Sequence, residues 1–312
     1  MQFFKSTNFN FIGNRKKAFV FSGILLLITV VSLIVNKGPN LSIDFVGGTV
    51  VQLKFENSIK DDIGQIRSVI DQLEYGSPEV KTIGKPEDNE IQITVKATES
   101  KGESVGDNIK KAVATNYPDN PFELRREEKV GPKIGGELQQ KAVLAILLSL
   151  LAIVIYIGIR FHLPFGIAAI VALFHDVLIT IGAFAFLNLI PNVDVELSLP
   201  VIAALLTIVG YSLNDTIVVF DRIRENMGGS VIKRNLEERI NSSINQCLSR
   251  TIITSLTTFA VVLTVFIAFI NSGAIIKDFS LALLVGVISG TYSSIYIASP
   301  ILVLWNQKWT IK

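Results

Sequence analysis

A carboxylate interrupts one of the long apolar stretches of this sequence. The stretch runs from Leu197 to Glu225, reads LSLPVIAALLTIVGYSLNDTIVVFDRIRE, and is long enough to cross a bilayer. Placing an acid at bilayer depth costs roughly 2.5–3.5 kcal/mol on insertion scales, whereas each Leu or Ile returns only about 0.3–0.6 kcal/mol. Because acids at this depth generally face other helices and mark ion pathways, Asp215 is a candidate proton-carrying residue.

Two plainer roles for Asp215 stay open at this point. The carboxylate could cap or bridge helices without taking part in transport. Alternatively, the bilayer could end near Gly210, which would leave the acid at the interface. A further apolar turn, from Ile217 to Phe220, follows the acid and favours the buried interpretation.

Other polar residues of this stretch recur at steps of three and four. They are Thr207, Tyr211, Asn214 and Asp215. Residues at this spacing share one face of a helix. We therefore predict a single polar face, on which Asn214 supports Asp215.

Two further apolar spans carry polar groups that could meet Asp215. His175 and Asp176 lie near the middle of one span, and Arg250 and Thr254 share a face of another with Thr257 and Thr258. An arginine favours an ionised carboxylate and burial favours a neutral one, so an acid between the two influences can take up and release a proton. We predict supporting roles for His175, Asp176 and Thr254, although snorkelling would also explain Arg250.

Small residues at four-residue spacing mark the last apolar span. They are Gly286, Ser289, Gly290, Ser293 and Ser294. Such residues let helices approach closely. We assign them to packing alone.

The composition indicates an integral membrane protein and gives no sign of an enzyme. Nearly half of the residues, 49%, are hydrophobic, and the net charge is only +2, so nothing favours a nucleic-acid partner. The single cysteine, Cys247, forms no internal disulfide, and two histidines with one cysteine offer no metal set. We predict no metal, no cofactor and no catalytic residue, because His175 and Asp176 have no nucleophile partner that can be named.

Six apolar spans alternate with polar segments along the chain. The spans are Ala18–Val35, Ala142–Ile159, Leu163–Ile190, Leu197–Phe220, Thr251–Ile276 and Phe279–Trp305. The predicted organisation is an N-terminal arm (1–17), a first spanning helix (18–36), a polar domain (37–141), five further spanning helices (142–306) and a short tail (307–312). Within the fourth region, segment 230–249 predicts an amphipathic helix at the cytoplasmic interface, with a connector resting on lipid as its expected role.

The polar domain has the element order βαββαβ. Strands are predicted at Thr49–Phe55, Glu79–Ile83, Glu90–Lys96 and Phe122–Val130, and helices around Ile59–Leu73 and Val105–Val113. This order suggests a small ferredoxin-like α+β sandwich. The whole chain is thus predicted to be a polytopic α-helical membrane protein with an α+β domain between helices 1 and 2.

Lysine and arginine residues indicate the orientation. If the N-terminus is cytoplasmic, that side holds the N-terminal cluster, Arg160, Arg222, Arg224, Lys233, Arg234, Arg239, Arg250, Lys308 and Lys312. The two short outer loops then hold only Lys277. The positive-inside rule therefore predicts both termini in the cytoplasm and the α+β domain outside it.

Several motifs together resemble the SecF family of the bacterial preprotein translocase. The run VGYSLNDTIVVFDRIRE includes Gly210, Tyr211, Asp215, Asp221 and Arg222 and resembles the fourth-span signature of that family. Asp44, Gly47 and Gly48 resemble its Asp-Phe-x-Gly-Gly motif. The segments Val130–Gly135, Arg160-Phe161, His175-Asp176, Arg250-Thr251 and Gly290–Ser294 agree in the same order. The sequence departs from the usual pattern at Ser42 and Val46.

The resemblance implies half of a resistance–nodulation–division (RND) bundle. Family members pair with SecD, work beside the SecYEG channel with YajC and YidC as further neighbours, and use proton flow to promote preprotein export across the bacterial inner membrane. By motif position, Asp215 and Arg250 are the implied proton-pathway residues.

Two other hypotheses stay open. One is a half-size RND exporter of small molecules or lipids, and the other is a passive scaffold for the channel.

Overall fold

The computed structural model describes residues 7–59, 62–76, 78–96, 104–191, 193–227, 236–270 and 275–308. Within these ranges, six helices are long and apolar enough to cross a membrane. They are α1 (Arg15–Val35), α5 (Pro132–Arg160), α6 (Leu163–Leu187), α7 (Leu199–Met227), α8 (Leu236–Phe269) and α9 (Ile275–Ser293), which continues through a π-helical turn (Ser294–Ala298) into α10 (Ser299–Lys308). The prediction of six spanning helices is confirmed.

The α+β domain between α1 and α5, here called the outer domain, has the predicted ferredoxin-like order. Its elements are β1 (Gly48–Phe55), α3 (Ile63–Asp71), β2 (Glu79–Ile83), β3 (Glu90–Lys96), α4 (Val105–Asn116) and β4 (Phe122–Val130), preceded by a one-turn helix α2 (Ile43–Val46). The four strands form one antiparallel sheet in the order β2-β3-β1-β4.

Alternating apolar residues explain why the sheet and its helices meet on one side. Leu53, Ile91 and Ile93 of the strands are fully buried against Ile66 of α3 and Ile109 of α4. A strand sends alternate side chains to one face, and a helix presents positions three and four apart, so the two periodicities make one core. This core is separate from that of the membrane helices.

Glycines let the outer domain contact the start of α5. Gly47 has a φ of +79°, and a Cβ there would lie 2.7 Å from the Cα of Pro132. A Cβ on Gly135 would lie 2.9 Å from the carbonyl oxygen of Phe45. Backbone therefore packs on backbone, and α5 begins at Pro132, a residue suited to the first helical turn. The helix thus starts inside the range that the sequence assigned to the outer domain.

The predicted amphipathic segment is part of a spanning helix. Its residues 230–235 lie outside the described part of the chain, and from Leu236 onward it is continuous with α8. Ile240 and Ile244 are buried in the main membrane core rather than resting on lipid. The described part of the N-terminal arm, from residue 7 onward, contacts this part of α8, because Asn245 exchanges two hydrogen bonds of 2.9 Å with the backbone of Phe9.

We expect Gly135→Ala to destabilise the protein, because the new methyl group would collide with the backbone of α2. Overpacking of this kind costs about 1–3 kcal/mol. Gly136→Ala is the matched control, since nothing lies within 4 Å of a Cβ there and alanine favours a helix. Thermal unfolding in detergent should rank Gly135→Ala below the parent protein and Gly136→Ala equal to it or above. Equal melting of the two variants would contradict the close contact.

Candidate functional site

A fully buried carboxylate, Asp176 of α6, joins three membrane helices. Its Oδ2 accepts hydrogen bonds from Ser212 of α7 at 2.6 Å and from Ser293 of α9 at 2.7 Å. Its Oδ1 accepts a bond of 2.6 Å from Ser289 of α9 and lies 3.1 Å from Nδ1 of His175. We call this arrangement the Asp176 cluster.

The Asp176 cluster suits an ionised carboxylate. Such a group only accepts hydrogen bonds and offers about four acceptor positions, each of which has a partner here. Hydrogen bonds to a charged acceptor are short and strong, which offsets the cost of burying the charge. Asp176 therefore acts first as a bridge between α6, α7 and α9.

Two glycines of α9 permit this bridge. A Cβ on Gly286 would lie 2.2 Å from Ile208 of α7, and a Cβ on Gly290 would lie 2.8 Å from the Cβ of Ser212. The helices are therefore so close that one carboxylate reaches hydroxyl groups on both. The small residues of α9 do serve packing, but Ser289 and Ser293 also bind Asp176, which the assignment to packing alone missed.

Asp215 is also buried but has far fewer partners. Its side chain lies between α7 and α8, and Oδ2 accepts one hydrogen bond of 3.2 Å from Ser255 of α8. The hydroxyl of Thr291 lies 2.7 Å from that of Ser255 and extends the contact to α9. In the described residues no second hydrogen bond reaches this carboxylate. Its acceptor positions are therefore available to a proton or to a water molecule.

Arg250 and Thr254 do not touch Asp215. Arg250 is exposed and, among the described residues, makes no ion pair, although it attracts the Asp215 carboxylate electrostatically. The hydroxyl of Thr254 donates to carbonyl groups of its own helix, those of Arg250 and Thr251. The hydrogen bond to Asp215 comes instead from Ser255, the residue that follows Thr254.

The predicted single polar face of α7 is divided. Asp215 turns inward, whereas Thr207, Gly210 and Asn214 are exposed on the outside of this chain. Adjacent residues of a helix point about 100° apart, so Asn214 cannot share the environment of Asp215. The hydroxyl of Tyr211 is buried and has no hydrogen-bond partner in the described part of the chain.

Asp44 of the Asp-Phe-x-Gly-Gly motif holds the beginning of α7. Its Oδ2 accepts a hydrogen bond of 2.9 Å from the backbone N–H of Leu199, the first residue of that helix. A carboxylate at a helix N-terminus satisfies a free donor and interacts well with the helix dipole. The motif therefore connects the outer domain to the helix that carries Asp215.

Asp221 and Arg222 lie near the opposite end of α7. Asp221 pairs with Arg224 at 2.9 Å and with Arg160 at 3.5 Å. Arg222 pairs with Glu225 at 2.7 Å and donates to Gln246 of α8. These side chains are partly exposed, and such pairs contribute little stability each. They fix the relative position of neighbouring helix ends.

Sequence reasoning missed Ser212, Ser255, Ser289 and Ser293 as site residues. A signal existed for three of them. Ser212 precedes Asp215 by three positions, and Ser289 and Ser293 are four positions apart, so each set marks one helix face. For Ser255 the sequence offered no means to choose it over Thr254.

Comparison with known proteins identifies the family of this chain. Residues 108–308 match the family described as protein export membrane protein SecD/SecF, C-terminal, and residues 32–59 match the SecD/SecF GG motif. The chain is 45% identical to protein translocase subunit SecF of Calditerrivibrio nitroreducens, over 96% of this chain and 94% of that one. It is 44% identical to the subunit of the same name from Rhodothermus marinus, over 97% and 95%.

A solved structure agrees over the same length. The crystal structure of SecDF, a translocon-associated membrane protein from Thermus thermophilus, superposes with a TM-score of 0.81 at 34% identity. The match covers 96% of this chain but only 39% of that one. The chain thus spans nearly all of the SecF relatives and about two-fifths of the SecDF chain.

Fold and site define a multi-pass membrane protein with six spanning helices, a ferredoxin-like outer domain and two buried carboxylates in its helix bundle. The chain belongs to the SecD/SecF family of protein-export membrane proteins.

We expect Asp176→Asn to lower stability by about 1–3 kcal/mol, because the amide group would face hydroxyls that need an acceptor. Thr257→Ala is the control, since that exposed hydroxyl bonds only to carbonyls of its own helix. Unfolding in detergent, followed by the exposure of buried Cys247 to a thiol reagent, measures both variants. If Asp176→Asn and Thr257→Ala unfold at the same temperature, the three-helix bridge is not a major source of stability.

Proposed function

We propose that this chain is the SecF subunit of a SecDF assembly, which uses the proton-motive force to promote preprotein export across the bacterial inner membrane. Its likeness to SecF over nearly the full length supports the subunit. The charge asymmetry supports a cytoplasmic location for both termini. The SecYEG channel, with YajC and YidC, forms the proposed surroundings.

A SecD-type partner supplies the missing half of the bundle. About three-fifths of the SecDF chain in the solved structure has no counterpart here. Thr207, Asn214 and Arg250 are exposed on the helices that flank Asp215. Polar groups at bilayer depth are costly against lipid. We infer that a second six-helix subunit covers this face.

Asp215 is the proposed proton carrier. The main support for this proposal is that its buried carboxylate has few hydrogen-bond partners. It accepts one bond, from Ser255, so a proton can join or leave without breaking a network. Arg250 on α8 favours the ionised form. One charge that crosses the membrane field releases about 2.3 kcal/mol per 100 mV, enough to shift a conformational equilibrium more than tenfold.

The Asp176 cluster has a positioning role in this proposal. Its carboxylate has a full set of partners, so protonation there would break at least one hydrogen bond. Ser212 of this cluster lies one turn from Asp215 on α7. His175 and Asp176 therefore support the pathway by fixing α7 against α6 and α9.

The rival hypothesis, a half-size exporter of small molecules or lipids, finds less support. A cavity of about 640 Å³ at the junction of the outer domain with the membrane helices is lined mainly by charged and polar side chains, including Arg67, Glu79, Arg126 and Glu128. Binding sites for small organic molecules are predominantly apolar.

We expect Asp215→Asn to abolish stimulation of export by the proton-motive force, because an amide cannot carry a proton. The measurement is translocation of a secretory preprotein into inverted membrane vesicles, with and without an ionophore. Glu225→Gln is the control: the same chemical change on the same helix, at an exposed position. Full stimulation in the Asp215→Asn protein, inserted at normal level, would exclude the proton-carrier role and favour the passive scaffold.

We also expect extraction in mild detergent to recover the chain together with a six-span partner of SecD type. The reason is that the exposed polar groups on α7 and α8 would be buried against such a partner. Affinity purification through this chain, followed by mass spectrometry, tests the expectation. Recovery of the chain alone, or with an exporter-type partner, would contradict the assembly.

A further inference from the structure

The loop between α6 and α7 is bound to the outer domain by charged side chains. Lys96 of β3 pairs with Glu196 of the loop at 2.8 Å, and Lys81 of β2 pairs with Asp194. Asn40 donates to Asp194 at 2.9 Å and accepts from Lys96 at 2.8 Å. These residues form a continuous set of contacts between the sheet and the membrane helices.

Two further contacts hold the same loop in place. The backbone of Leu197 pairs with the segment before α2, through bonds of 2.8 Å to Asn40 and 3.0 Å from Ser42. On the other side, Lys277 of α9 donates to the carbonyl of Asp194 at 3.0 Å, and Asp278 accepts from the N–H of Glu196 at 3.1 Å. The loop is therefore fixed to α9 while its acids face the outer domain.

Three carboxylates crowd together at this junction. Oxygen atoms of Glu79, Asp194 and Glu196 lie within 4.8 Å of one another, and all three residues are partly buried. Glu79 belongs to the outer domain, whereas the other two belong to the loop. A neighbouring like charge at such close range disfavours ionisation of a carboxyl group. Lys81 pairs with Glu79 at 3.5 Å as well as with Asp194, and Lys96 pairs with Glu196, so both lysines offset part of this negative charge.

We propose that Glu79 and Asp194, together with Lys81 and Lys96, form a proton-operated latch between the outer domain and the membrane helices. The outer domain is docked on the loop when Glu79 carries a proton and donates it to Asp194. It is released when that proton leaves, because two adjacent negative charges then repel across the junction.

The titration of the groups at the junction is consistent with this latch. Burial and the hydrogen bond to Asp194 raise the pKa of Glu79 to about 7, against the opposing attraction of Lys81. Burial disfavours the ionised form of Asp194, but hydrogen bonds from Glu79 and Lys81 hold its pKa below the usual range. Burial opposes the charge of Lys81, yet Asp194 and Glu79 raise its pKa, so it stays charged.

Protons therefore favour docking. The docked state binds a proton at Glu79 up to a pH of about 7, whereas a solvated glutamate loses it near its usual value of 4.5. The stabilisation is fully present below that usual value and is lost as the pH rises through about 7. The other charged groups facing Glu79 are Lys81, Asp194 and Glu196, with Lys96, Lys277 and Asp278 beyond them. From pH 6 to pH 8 the docking equilibrium should weaken about tenfold.

The experiment measures docking directly and does not require transport. Spin labels at Lys111→Cys, an exposed position of α4, and at Leu189→Cys, after α6, report the distance between the outer domain and the helix bundle in the full chain. Cys247→Ser removes the native thiol, and a chelator removes metal ions. We expect the docked distance to predominate at pH 6 and to lose population, about tenfold in the equilibrium, by pH 8.

Two variants keep the proposal open to refutation. Glu79→Gln imitates the protonated side chain, so it should remain docked at both pH values. Lys96→Glu should release the outer domain at both, and the double change Lys96→Glu with Glu196→Lys should restore docking. An unchanged distance from pH 6 to pH 8, or an undiminished pH response in Glu79→Gln, would overturn the latch. Neither result would bear on Asp215, which these variants leave intact.

Discussion

The packing of α6, α7 and α9 is organised by one interaction, the hydrogen bonds from serine hydroxyls to the buried carboxylate of Asp176. Asp176 lies on α6, and its three serine partners lie on α7 and α9, so a single residue sets the spacing of three helices. Inside a bilayer there is no hydrophobic force between helices, and close packing with hydrogen bonds must supply the association. Gly286 and Gly290 allow α9 to approach α7 closely, and the serines supply the hydrogen bonds between helices. Together with the apolar core, these contacts hold α7 in the rotation that buries Asp215.

The two buried acids differ in what their neighbours permit. Asp176 has a full set of partners and is suited to hold a charge in place, whereas Asp215 has one donor and is suited to change its protonation. The chemistry of the side chain is the same in both. Hydrogen-bond saturation, and not burial alone, therefore distinguishes Asp176 from Asp215, the proposed proton carrier.

Most of the fold followed from the sequence, because hydrophobic length and periodicity are local signals. The six spans and the βαββαβ order needed only runs of about twenty apolar residues and steps of two, three and four. The contacts of the candidate site could be predicted from the sequence only in part. Helical spacing places Asn214 beside Asp215, but which of the two turns inward depends on where α8 and α9 pack. Likewise, the choice of Ser255 over Thr254 depends on the rotation of α8, which no local pattern records. The end of the outer domain at Pro132 depends on contacts with Gly47 and Phe45, distant in sequence.

A mechanical path connects the outer junction to the buried acid. Asp44, next to the loop of the latch, binds the first N–H of α7, and Asp215 lies roughly 24 Å further along that helix at 1.5 Å per residue. In the proposed mechanism, movement of the outer domain would act through Asp44 on α7, the helix that carries the proposed proton carrier. The Asp176 cluster binds α7 through Ser212, one turn from Asp215. It would therefore determine which helices move together with α7. While Ser212, Ser289 and Ser293 are hydrogen-bonded to Asp176, a shift of α7 along its axis would also have to displace α6 and α9. In the proposed mechanism, the unit that couples the outer domain to Asp215 is therefore the set of α6, α7 and α9 joined by Asp176.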